Sequence, residues 1–217
     1  MQIELARQNM IENQVRPWEV LDARVLDVMS AVRREDFVPV RYRNLAFADT
    51  ALPLGRNEVM MKPVIEGRAL QALDLRADDR VLEIGTGSGF LTACLARLAT
   101  SVLSVEVHAD FAESARLRID ASGAKNVHVE VADAITTFDT DERFDAVIVT
   151  GAVYSLPDRL RKFVAPNGRL FAIVGDSPAM NAMLYTRADD THWREESLFE
   201  TDLPYLMHAA PPRRFAL

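Results

Sequence analysis

Apolar positions divide the chain into two regimes. In the first 79 residues they recur at helical spacing. Val20, Leu21, Val25, Leu26, Val28 and Met29 stand three or four apart, which predicts a helix. Residues 3–15 are polar with scattered apolar positions and are also expected to be helical, and Pro17 is expected to open the next helix. Residues 42–55 read as irregular, punctuated by Pro53 and Gly55. Pro63 then starts a helix whose buried stripe is Ile65, Ala69, Leu70 and Leu73. From Arg80 the rhythm becomes strand, helix, strand. Strands are expected at Arg80–Ile84, Ser101–Glu106, Val127–Val131, 144–149 and 168–174, with helices at Phe90–Leu98, Ala109–Ala121 and 156–163. Such alternation implies an α/β fold, a Rossmann-like doubly wound and mostly parallel sheet with helices on both faces. Residues 146–149 are apolar throughout, as a strand buried on both faces should be. Residues 191–217 are expected to add an antiparallel hairpin. Residues 1–79 form an N-terminal helical and lid segment packed on a ligand-binding domain at 80–217, the two making one folded unit.

The junction of the first strand and its helix carries the strongest chemistry. Val81-Leu82-Glu83-Ile84 leads into Gly85-Thr86-Gly87-Ser88-Gly89-Phe90. A strand, a glycine turn and a helix bring a cofactor against the backbone of a parallel sheet. The second strand ends in Glu106, about 20 residues after Gly85, where an acid accepts hydrogen bonds from ribose hydroxyls. An adenine dinucleotide and S-adenosylmethionine both carry that ribose. The glycine spacing separates them: a dinucleotide turn reads G-x-G-x-x-G, whereas Phe90 stands here in place of its last glycine. Glu83 suits the ammonium of a bound amino acid, directly or through a water, better than a pyrophosphate. S-adenosylmethionine has that ammonium and no phosphate. Asp133, after the third strand, can accept from the exocyclic amine of adenine or cap a helix. Thr150 and Gly151, after the fourth, lie beside the expected reactive methyl or simply end the strand.

Bulk composition excludes several classes. The 217 residues carry a formal net charge of −7, which argues against a broad basic face for nucleic acid or an anionic membrane. The single cysteine, Cys94, rules out an intrachain disulfide or a cysteine-rich zinc site, and no metal is expected. No stretch approaches the ~20 apolar residues of a spanning helix. The first ten residues contain Glu4 and Arg7 without a signal-like apolar run, so a cytoplasmic home is expected. His108, His128, His192 and His208 are scattered and read as surface or core residues.

Several blocks resemble the protein-L-isoaspartate O-methyltransferase family. They include Arg34-Glu35-Asp36-Phe37-Val38-Pro39, Leu45-Ala46-Phe47-Ala48-Asp49, Leu52-Pro53-Leu54-Gly55, the glycine turn, and Ala165-Pro166-Asn167-Gly168. The resemblance implies a methyltransferase fold, S-adenosylmethionine as cofactor, and methylation of isoaspartyl carboxylates in damaged proteins. It implies a cofactor set of Met60, Met61, Glu83, Gly85, Thr86, Gly87, Ser88, Gly89, Glu106, Val107, Asp133, Ala134 and Thr150. One segment departs from the family pattern. Thr-Ile-Ser-x-Pro becomes Val59-Met60-Met61-Lys62-Pro63, so the serine of the active centre is Met61 and the threonine is Val59. A thioether cannot donate a hydrogen bond to a carboxylate. A small-molecule acceptor on the same scaffold, or a non-catalytic cofactor-binding protein, are therefore the alternatives to a peptide carboxylate. Lys62 is a candidate contact to an anionic acceptor. A carboxylate acceptor is already ionised at neutral pH and needs no general base, which agrees with the absence of a clear acid–base pair in the sequence. Oligomeric state has no signature in the chain.

Overall fold

The computed structural model describes residues 2–189 and 191–212. Helix α1 (Gln2–Met10) widens into a π turn at 11–15 and tightens into a 3-10 turn, Arg16–Trp18. Pro17 opens no long helix. The chain instead leaves this turn through Glu19 at φ 63°. Helix α2 (Ala23–Ala31) starts only after Asp22, whose carboxylate caps it by accepting from Arg24 N at 2.8 Å. Val20 and Leu21 thus precede the helix expected to contain them, and Leu21 is exposed.

The stretch read as irregular contains the first strand of a hairpin, β1 (Leu52–Gly55) with β2 (Glu58–Met60). Arg56 and Asn57 both have positive φ, which the two-residue turn between twisted antiparallel strands requires. Helix α3 (Pro63–Leu73) begins at Pro63 as expected, since proline sets φ and lacks only an N–H that the first turn leaves unpaired.

The sheet follows: β3 (Arg80–Ile84), α4 (Phe90–Leu98), β4 (Ser101–Glu106), α5 (Ala109–Ala121), β5 (Val127–Val131), β6 (Phe144–Val153), α6 (Asp158–Lys162), β7 (Val164–Asp176), β8 (Ala179–Arg187) and β9 (Trp193–Thr201). Their order is β5-β4-β3-β6-β7-β8-β9, parallel from β5 to β7 and antiparallel at β8 and β9. Strand β6 runs on through Thr150 and Gly151, and α6 is shorter than expected. Only β9 of the expected C-terminal hairpin lies within 191–217. Its partner is β8, which the sequence reading missed, and residues 213–217 lie outside the described part.

Strand alternation separates two cores. Val81 and Ala146 join α2, α3 and α4, whereas Leu82, Ile84 and Val147 face α6. The first cluster is continuous from Met10 through Leu203, so the N-terminal helices share apolar burial with the sheet. Among the described residues no helix is long and apolar enough to cross a membrane.

Candidate active site

The carboxyl ends of β3, β4, β5 and β6 and the β1–β2 hairpin enclose one cleft. Gly85 leaves β3 at φ +98°, and its N–H donates to Val105 O at 2.8 Å. A Cβ at Gly85 would run into Thr150 Oγ1, the hydroxyl that donates to Gly85 O at 2.6 Å. Glycine is required here by both conformation and space. At Gly89, φ +85° turns the chain into α4. The cleft is partly open to solvent. Leu54, Glu58 and Val59 line it from the hairpin, and Leu206 and Met207 line it from the C-terminal segment.

Glu106 is buried at the end of β4. It accepts from Gly87 N at 2.8 Å and from His108 N at 3.0 Å, which fixes the carboxylate on the cleft wall. Asp133 follows β5. It caps the following turn by accepting from Ile135 N at 2.8 Å, and it lines the cleft. Burial would raise its carboxyl, but donation from Thr136, His208 and Ile135 N outweighs burial and holds it below the usual value.

Glu83 is fully buried beneath the glycine turn and is not on the cleft wall. Its Oε2 accepts from Thr92 at 2.5 Å and Ser104 at 2.6 Å, and its Oε1 has no partner. Burial pushes its carboxyl up to about 8 against these two donors, so it is largely protonated at neutral pH.

The other expected residues divide. Gly85, Gly87, Val107, Ala134 and Thr150 line the cleft. Thr86 and Ser88 are turned inward. The Thr86 hydroxyl lies 2.6 Å from Ser104 Oγ, and Ser88 Oγ accepts from Phe90 N at 3.2 Å. Gly89 packs close to Ala115 and Ile119 of α5. Met60 and Met61 lie in the apolar core, off the cleft wall, and the Met61 carbonyl accepts from Arg34 at 2.7 Å. Lys62 lines a separate groove with Asp49, Glu200 and Asp202.

Sequence reasoning missed Glu58, Phe111, Leu206 and Met207 on the cleft wall and His208 against Asp133 at 2.5 Å. A turn signal in Gly55-Arg56-Asn57 would have placed Glu58 on a hairpin. Nothing in the sequence brings 206–208 back to β5 and β6. That return rests on Leu206 N donating to Ala152 O at 2.8 Å and on the bridge between Ala152 and Tyr205.

A family model described as protein-L-isoaspartate(D-aspartate) O-methyltransferase matches residues 5–202. The chain belongs to this methyltransferase family. A protein-L-isoaspartate O-methyltransferase of Methylorubrum extorquens is 37% identical over 182 residues, covering 84% of this chain and 79% of the relative. One from Koribacter versatilis is 36% identical over 183 residues, covering 84% and 82%. A Plasmodium falciparum structure with a related name, solved with S-adenosyl-L-homocysteine, superposes with a TM-score of 0.81 over 92% of this chain and 97% of its own. At 19% identity that likeness supports the fold alone.

The methyltransferase cofactor fits the residues present. A turn with left-handed glycines offers backbone to the ligand, Glu106 and Asp133 offer carboxylates, and the Glu83 Oε1 is an orphaned buried acceptor below the turn. Among the described residues no group of three or more metal-ligating side chains comes together.

Proposed function

We propose that the protein transfers a methyl group from S-adenosylmethionine to the carboxylate of an isoaspartyl residue in a peptide or protein. The cleft carries this reading: among the described residues its wall presents Glu58, Glu106 and Asp133 and no lysine, arginine or histidine. Such a wall suits a cationic nucleoside and disfavours a phosphate. In this reading Glu106 accepts from the ribose and Asp133 from the adenine amine, while Glu83, buried off the cleft wall, makes no direct contact with the ligand. S-adenosylmethionine, when bound, supplies an electrophilic methyl on a sulfonium sulfur. The protein's part is to hold the two reactants in line and to exclude water, because an anion and a cation that neutralise each other react faster out of water. Leu54, Val59, Leu206 and Met207 supply the apolar cover for this. The acceptor is an anion at neutral pH, so no residue need remove a proton from it.

Residues 1–79 act as a lid segment, with the β1–β2 hairpin as the part that reaches the cleft. Lys62 is the proposed acceptor contact. Among the described residues no side-chain hydrogen bond or ion pair engages its ammonium in the groove it lines, and replacing it with alanine is expected to raise KM for an isoaspartyl peptide without lowering cofactor affinity. A cytoplasmic setting belongs to the same reading. Methanol release from an isoaspartyl peptide with labelled cofactor is the direct test. Activity at ordinary enzyme rates supports the reading.

One observation favours a second acceptor class. Val59 lines the cleft and Met61 is buried in the core, so neither side chain brings a hydroxyl to the acceptor. Cofactor binding without peptide esterification, together with methyl transfer to a component of a metabolite extract, would establish that reading instead.

A further inference from the structure

We propose that Glu58, positioned by His108, is a second ribose-recognising carboxylate of the cleft, carried on the hairpin instead of the sheet. This rests on the cofactor reading above. Glu58 reaches the cleft from β2 and lies next to His108, which follows Glu106 and Val107 and packs on Phe111. Burial pushes the Glu58 carboxyl up, His108 opposes this, and the negative charge of Glu106 adds to it. The two carboxylates therefore face one space with no cation from the cleft wall between them. His108 stands behind: its Nε2 is 3.5 Å from Glu58 Oε1, its side chain is 9% exposed, and that nitrogen is buried without a hydrogen bond. The ring also packs edge-on against Phe111, with centroids 5.2 Å apart, which limits its movement.

A donor-rich group entering between Glu58 and Glu106 relieves their repulsion. A vicinal diol is such a group, with two O–H donors and no charge. Glu106 already accepts one backbone N–H on each oxygen, which leaves Glu58 the less occupied acceptor. Recognition of the ribose from the hairpin side also draws that hairpin onto the ligand. The Arg56–Asp110 pair, 3.3 Å apart, fastens the same hairpin to the first turn of α5.

The test is calorimetric binding of S-adenosylmethionine, S-adenosylhomocysteine and the latter's 2′-deoxy and 3′-deoxy analogues to wild type, Glu58→Ala, Glu58→Gln, His108→Ala and the Glu58→Ala/His108→Ala double variant. A hydrogen bond to a charged acceptor predicts roughly tenfold weaker binding to Glu58→Ala. At least one deoxy penalty seen in wild type should shrink to under about threefold in that variant. His108→Ala should weaken binding less, and adding it to Glu58→Ala should cost nothing further. Glu58→Gln, nearly isosteric, keeps the test valid should the alanine variant fail to fold. Affinity within twofold of wild type in Glu58→Gln and Glu58→Ala, or undiminished deoxy penalties, overturns the assignment. A loss seen only with the sulfonium donor overturns it too, because it would show that Glu58 senses charge and not the ribose. Absence of binding by wild type would instead remove the cofactor reading beneath it.

Discussion

Replacing Glu83 with glutamine should make the protein's stability less sensitive to pH, and the structure sets the size of the effect. Glu83 is fully buried, and its carboxyl is raised from an ordinary value of 4.5 to about 8. Folding therefore takes up a proton across that interval. The stabilisation is fully present below 4.5, declines as pH rises, and is gone above about 8. A single proton taken up is worth about 1.4 kcal/mol per pH unit where the two states differ fully. Integrated from pH 5.5 to 8, the loss is about 3 kcal/mol, of which about 1 kcal/mol falls between pH 7 and 8. Glutamine mimics the protonated acid in shape and keeps an acceptor for the Thr92 and Ser104 hydroxyls, yet has no charge to bury. Glu66, raised to about 7 by burial against the opposing pull of Arg34, titrates in both proteins, and its charge adds to the rise at Glu83. Urea unfolding of wild type and variant, followed by circular dichroism at pH 5.5, 7 and 8, measures the difference between them. The variant should gain on wild type by about 3 kcal/mol over the range. A gap that stays constant from pH 5.5 to 8 would refute the buried-acid argument.

Three further outcomes follow from the same geometry. Glu106→Ala should weaken S-adenosylhomocysteine binding by tenfold or more in calorimetry, because it removes the proposed ribose acceptor and leaves the Gly87 and His108 N–H groups unpaired. Gly85→Ala should abolish measurable cofactor binding and lower the melting temperature, since its Cβ meets Thr150 at φ +98°. Met61→Ser should lower unfolding free energy by about 2–4 kcal/mol in a denaturant titration, because it empties a core position and buries a hydroxyl there.

The sheet was legible because its signals are local. Each of β3, β4 and β5 is a short apolar or β-branched run with a turn at its end, and the glycine turn fixed where the ligand end lies. Glu106, Asp133 and Thr150 could be named for the same reason: each ends a strand of a parallel sheet. What failed was non-local or conformational. Pro17 permits a helix start but does not impose one, and Asp22 decided the matter through its cap. Strand β8 alternates too weakly to announce itself, and its identity comes from pairing along β7. Glu83 stands where the pattern puts it, yet no pattern tells whether a side chain faces a cleft or lies under it. Its orientation follows from strand alternation, which sends it toward α4 to meet Thr92. Met60 and Met61 were assigned by resemblance, and resemblance carries positions without burial.

Arg34 explains how the chain can depart from its family at Met61 and keep the backbone there in place. This arginine is fully buried, donates to the carbonyls of Ala46 at 2.9 Å and Met61 at 2.7 Å, and pairs with Glu66 of α3. Its guanidinium also lies 4.8 Å from the ring centroid of Phe90, the first residue of α4. One side chain thus ties the segment before the hairpin, the segment after it and the helix that follows the glycine turn. None of these contacts uses the side chain at position 61. The backbone path is set by Arg34 and Glu66, so position 61 can change from a hydroxyl to a thioether without moving the chain that carries it. The Met61 side chain lies in the core, off the wall of the cleft that β3, β4, β5 and the hairpin build.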